Sequence, residues 1–99
     1  MYVRVWEYEV GADQVDAFIA AYGATGAWAR LFEREAGYVG TQLFGAVGQD
    51  GRFLTVDRWR DAACWEAFLD QWRDEYGELD HQLHGLAAGG DAVVEGTAQ

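Results

Sequence analysis

Residues 38–59 read YVGTQLFGAVGQDGRFLTVDRW, and residues 61–86 read DAACWEAFLDQWRDEYGELDHQLHGL. The first stretch places two β-rich runs, 38–47 and 52–59, on either side of Asp50-Gly51, a strong turn signal. It predicts a hairpin whose return strand carries Phe53, Leu54, Val56 and Trp59. In the second stretch the apolar residues are Trp65, Phe68, Leu69, Trp72, Tyr76, Leu79, Leu83 and Leu86. Steps of three, one, three, four, three, four and three fit a helix buried along one face. Asp61 is placed to cap it, Glu66, Asp70, Asp74 and His81 lie opposite the stripe, and a kink is expected near Gly77.

Working outward, residues 1–10 form a strand. Val3, Val5 and Glu7 are expected on its helix-facing side, and Tyr2, Trp6 and Tyr8 on the other. Gly11 ends it, Asp13 is the expected cap of a helix carrying Val15, Phe18, Ile19 and Tyr22, and Gly23 and Gly26 interrupt that helix. A second helical stretch carries Trp28, Leu31 and Phe32, with Gly37 as its expected C-cap. After Gly89-Gly90, residues 91–97 form a last strand. The order βαββαβ over residues 1–99 is that of one α+β, ferredoxin-like domain: a four-stranded antiparallel sheet with its helices on one face. Large apolar groups on both sides of the first strand imply that the bare face is also covered. A homodimer packed through the face carrying Trp6 and Tyr8 satisfies this; solvated Tyr2 and Tyr8 at a sheet edge is the alternative.

The composition narrows the partners. The chain has 99 residues, of which 51% are hydrophobic, with five each of Trp, Tyr and Phe, too apolar for a disordered chain. Seventeen acids against seven bases, all Arg, give a net charge of −10, which disfavours nucleic acid and anionic membrane surfaces. Cys64 is the single cysteine, so no intrachain disulfide forms. Residues 1–7 lack a signal-peptide layout, and no apolar run approaches the ~20 residues of a membrane span. A cytoplasmic location is expected.

Several residues are candidates for chemistry. His81 and His84 stand at chelating spacing, but helical phase turns His81 to solvent, so no metal site is expected. Cys64 sits at a helix start with no His nearby in sequence, which favours an inert thiol. Tyr22, Trp28, Trp65, Trp72 and Tyr76 all turn toward the layer between helices and sheet. They are either ordinary core or the walls of a flat apolar cleft for an aromatic ligand. Glu7, in phase with Val3 and Val5, is either a desolvated general base in that layer, the partner of an Arg such as Arg58, or a strand-end carboxylate reaching water.

The segments Trp6-Glu7-Tyr8-Glu9-Val10, Ala20-Ala21-Tyr22-Gly23, Trp28-Ala29-Arg30-Leu31-Phe32, Gly37-Tyr38-Val39-Gly40-Thr41, Leu54-Thr55-Val56-Asp57-Arg58-Trp59, Phe68 and Tyr76-Gly77-Glu78-Leu79-Asp80 together resemble the antibiotic biosynthesis monooxygenase (ABM) domain along nearly the whole chain. The resemblance implies the dimeric α/β-barrel superfamily, in which two sheets pack face to face. Its haem-degrading members use an Asn, a Trp and a His at positions filled here by Glu7, Phe68 and a residue near Glu78, so haem degradation is not expected. Two functions are left open by the resemblance. One is a cofactor-free monooxygenase of a small aromatic or quinol-like compound, with Glu7 as base and Trp28, Trp65 and Tyr76 as walls. The other is a non-catalytic ligand-binding or accessory dimer of a biosynthetic pathway. Neither calls for a cofactor.

Overall fold

The computed structural model describes the backbone of residues 1–99 and the side chains of all but residues 89–91. Its elements are β1 (Tyr2–Glu9), α1 (Val15–Tyr22), α2 (Ala27–Phe32), β2 (Tyr38–Gly45), β3 (Arg52–Trp59), α3 (Ala62–Leu83), a 3-10 turn (His84–Leu86) and β4 (Ala88–Thr97). The strands form one antiparallel sheet in the order β2-β3-β1-β4, with β3 and β1 in the middle. This is the expected ferredoxin-like arrangement.

Local chemistry sets the boundaries. The Asp61 carboxylate accepts from the Cys64 N–H at 3.0 Å and starts α3. The backbone of α3 leaves helical geometry at Trp72 (φ −120°, ψ 24°), not at Gly77. Asp13 does not cap α1: the N-cap is Gln14, whose N–H donates to the Gly11 carbonyl at 2.8 Å. The turn between β2 and β3 begins earlier than expected, at Ala46, and uses two left-handed glycines, Gly48 (φ 75°) and Gly51 (φ 79°). Gly37 is no C-cap, since α2 ends at Phe32 and Glu33 caps it. Gly37 instead admits Cys64, because a Cβ there would stand 2.2 Å from Sγ. β4 begins at Ala88, ahead of the expected start at residue 91.

The three helices cover one face of the sheet. Trp59, Phe18 and Phe68 are fully buried between the layers. Trp59 meets Phe32 of α2 and Trp65 of α3 edge-on, both at 5.3 Å between centroids. On β3 the residues beneath the helices are Phe53, Thr55, Asp57 and Trp59; register sets Tyr8, Trp6, Arg4 and Tyr2 of β1 beside them. Tyr8 accordingly packs on Phe18 and Tyr22 of α1, at 5.3 and 5.0 Å.

The phase of β1 is therefore opposite to the expectation. Either face of this strand is apolar, and the larger groups, Tyr2, Trp6 and Tyr8, fill the helix layer because they bury more area there. Val3, Val5, Glu7 and Glu9 lie on the open face, opposite Arg58, Val56, Leu54 and Arg52. The expected dimer surface built on Trp6 and Tyr8 is thus covered by the chain's own helices. The open face is nonetheless apolar at its centre, with Val3, Val5, Leu54 and Val56 partly exposed and Phe44, Val93 and Val94 about half exposed. Among the described residues, no helix is long and apolar enough to cross a membrane.

Candidate active site

A cavity of about 260 Å³ lies between the sheet and the helices. Its floor is Trp6 and Tyr8 of β1, Thr41 of β2, and Thr55 and Asp57 of β3. Tyr22 of α1, Trp28 and Phe32 of α2, and Tyr76 of α3 roof it, and Asp80, His84 and Ala87 form its rim. The volume suits a ligand of one or two rings and falls just below the roughly 300–1,000 Å³ usual for small-molecule sites.

Asp57 is the charged group inside, and only 8% of it is exposed. It occupies the inward register of β3 between Thr55 and Trp59, with Thr41 as its neighbour on β2 and Arg4 on β1. The Thr41 hydroxyl donates to Oδ1 at 2.6 Å. Because that uses the only Thr41 proton, the Tyr38 hydroxyl, 2.5 Å from Thr41 Oγ1, is the donor in the second bond. Arg4 is turned away: its guanidinium lies 4.1 Å from the centroid of the Trp65 ring and pairs with Glu95 at 3.0 Å. Burial raises the Asp57 pKa to about 6, against the lowering effects of the Thr41 bond and of Arg4. Oδ2 receives no hydrogen bond from the described residues. The carboxylate is thus desolvated, anchored on one oxygen and free on the other.

The tyrosines of the cavity are held in their neutral, proton-donating form. Burial raises the pKa of Tyr8, Tyr22 and Tyr76. Tyr38, behind Thr41, is pushed up to about 12 for the same reason.

Of the residues expected to bind a ligand, Tyr22, Trp28 and Tyr76 line this cavity. Trp65 and Trp72 do not. Trp65 stacks on Phe68 in the core, at 5.7 Å. Trp72, at the irregular turn of α3, lies beneath Arg34, whose guanidinium is 4.8 Å from the ring centroid. Glu7 is absent from the cavity wall: it lies on the open face, 39% exposed, and pairs with Arg52, not Arg58. Arg52 also bonds Glu9 at 2.8 Å, so Glu7 belongs to a surface ion-pair cluster.

Asp57 is a candidate that the sequence reading does not single out. Its signal is an acid in the same phase as Phe53, Thr55 and Trp59, the set that carries the two aromatic residues of this strand. His81 and His84 are exposed as expected, with the His84 ring Nδ1 2.9 Å from the His81 carbonyl oxygen. Among the described residues, no three His, Cys, Asp or Glu side chains converge as a metal site. The Cys64 thiol is buried, and its hydrogen bond with Asp61 and its desolvation raise its pKa, which disfavours the reactive thiolate.

The family model for antibiotic biosynthesis monooxygenase matches residues 1–73. The chain belongs to that family. The ABM match covers β1 to the middle of α3 and so contains the floor of the cavity and most of its roof. Solved structures agree in fold. SnoaB, a cofactor-independent oxygenase from Streptomyces nogalater, is 18% identical with a TM-score of 0.73 over 99% of this chain and 92% of its own. A further antibiotic biosynthesis monooxygenase is 16% identical with a TM-score of 0.65, covering 100% of this chain and 99% of its own. PA3566 from Pseudomonas aeruginosa is 14% identical with a TM-score of 0.65, over 98% and 94%. No curated protein matches the sequence. At such identities the structural likeness is one of architecture, while ABM membership gives a role of monooxygenase type at the level of the family.

Proposed function

We propose that this ABM protein is a cofactor-independent monooxygenase of a small, flat phenolic or quinol-like compound, with Asp57 as the general base. The observation that carries the reading is the anchored, desolvated Asp57 carboxylate in the lining of an aromatic cavity. A base with a pKa of about 6 is ionised at neutral pH yet accepts a proton readily. The substrate lies flat among Trp6, Tyr22, Trp28 and Tyr76 and gives its ring O–H proton to Asp57 Oδ2. The resulting electron-rich anion supplies the electrons that reduce dioxygen. One oxygen atom enters the product and the other leaves as water. The aromatic walls exclude bulk water from the anion.

Members of the family are typically dimeric, and a homodimer is part of this reading. Its interface is the open sheet face around Val3, Val5, Leu54 and Val56, in place of the face bearing Trp6 and Tyr8. A cytoplasmic location accompanies it. The activity is tested with an oxygen electrode and a panel of hydroquinones and polycyclic phenols. Uptake by the native protein should fall ~10²–10⁴-fold in Asp57→Asn, the range for loss of a positioned base. Uptake that survives this substitution removes Asp57 from the chemistry. Absence of uptake across the panel leaves the non-catalytic, ligand-binding dimer.

A further inference from the structure

The cavity carries a negative charge that its wall does not balance. In the resting site the charge is on Asp57, and after proton transfer it is on the substrate anion. Among the described residues, no Arg lines the cavity. Arg4, the nearest in register, is committed to Glu95, Tyr2 and the Trp65 ring. The rim adds a second carboxylate, Asp80, which forms no ion pair among the described residues and acts electrostatically on Tyr22 and Tyr76. The imidazole of His84 is exposed at that rim. Six aromatic rings, those of Trp6, Tyr8, Tyr22, Trp28, Phe32 and Tyr76, complete the wall.

Aromatic faces beside a desolvated carboxylate that forms no ion pair among the described residues attract a cation, because the ring quadrupoles and the carboxylate oxygen all present negative potential to the same space. We propose that the ligand supplies the missing positive charge: a phenolic or quinol-like ring bearing a protonated or quaternary amine, with the cation held among the aromatic rings between Asp57 and Asp80. Such a ligand balances the site both before and after proton transfer. An anionic ligand would meet two carboxylates and no Arg on the cavity wall.

This inference rests on reading the cavity as the ligand site, but not on turnover. Calorimetric titration of the whole protein at pH 8 under nitrogen uses three probes of matched shape: tyramine, 4-ethylphenol and 3-(4-hydroxyphenyl)propionate. Tyramine should bind about tenfold or more tighter than 4-ethylphenol, and the propionate weakest. Asp57→Asn should cut the preference for tyramine over 4-ethylphenol several-fold, with Asp80 and the rings retaining part of it and native circular dichroism confirming the fold. Equal or tighter binding of the neutral or anionic probe overturns the inference, as does no binding of any probe at millimolar concentration. Tyramine selectivity without oxygen uptake from an aminated hydroquinone upholds the charge preference and rejects the monooxygenase reading. Uptake from neutral quinols without charge preference does the reverse.

Discussion

Asp57→Asn should make the protein more stable, and by an amount that depends on pH. The native carboxyl titrates at about 6 against an ordinary 3.8, so between those values the folded state holds a proton that the unfolded state has released. Stability therefore falls as pH rises through this window, and the penalty is complete above the folded value. At 1.36 kcal/mol per pKa unit, the ionised carboxylate costs the native state about 3 kcal/mol at pH 8 but only about 0.5 kcal/mol at pH 4. Asn is nearly isosteric, can accept the Thr41 hydrogen bond and carries no charge. The variant should thus gain about 0.5 kcal/mol at pH 4 and approach a gain of about 3 kcal/mol at pH 8. Urea unfolding followed by circular dichroism at several pH values reads this directly, through midpoints compared at unchanged m. A gain that is the same at pH 4 and pH 8, or a loss at pH 8, would refute the claim that desolvation of the carboxylate outweighs the groups that stabilise its charge. The argument for a base and that for a cationic ligand would both weaken with it.

Further substitutions probe other parts of the structure. Thr41→Val removes the donor to ionised Asp57, leaving Arg4 as the main group that favours the charge and Tyr8 and Tyr76 as neutral neighbours; the acid limb of the turnover profile should move up by about one pH unit, with Thr41→Ser restoring it. Glu7→Gln should leave turnover within about twofold and stability within about 1 kcal/mol, since only a half-exposed surface ion pair is lost, and oxygen uptake and urea unfolding check both. Gly37→Ala drives a Cβ into Cys64 and should cost roughly 2–4 kcal/mol in urea unfolding. Val56→Asp on the open sheet face should give a monomer or an insoluble protein, against a native dimer by light scattering.

The architecture was legible because long-period signals carry it. The apolar stripe from Trp65 to Leu83 in α3, continued by Leu86 in the 3-10 turn, and the paired runs around Gly51 admit few other folds. The site was harder to read because it turns on a binary choice in β1. Val3, Val5 and Glu7 alternate with Tyr2, Trp6 and Tyr8, and both sets can be buried. Only the cross-strand register with β3, which sets Trp6 beside Thr55 and Tyr8 beside Phe53, decides which set meets the helices. A slip of one residue exchanges every side chain between faces. An inward Glu7 would put Trp6 and Tyr8 on the open face, whereas the register puts both in the cavity beside the strand that carries Asp57. Helical phase was more forgiving: Tyr22, Trp28 and Tyr76 reach the cavity, while Trp65 and Trp72 point to the same layer but sit deeper or farther along the helix.

The distribution of the five indoles gives the protein a built-in optical partition. Trp6 and Trp28 are on the cavity wall, while Trp59, Trp65 and Trp72 lie outside it. The N–H groups of Trp28, Trp59 and Trp72 are buried and meet no acceptor among the described residues. Emission from these three should be blue-shifted in the native state and move to the red on unfolding. A ligand quenches chiefly the Trp6 and Trp28 fraction and leaves the rest of the spectrum in place. Trp28→Phe difference spectra would then separate occupancy of the cavity from loosening of the core, with no external label.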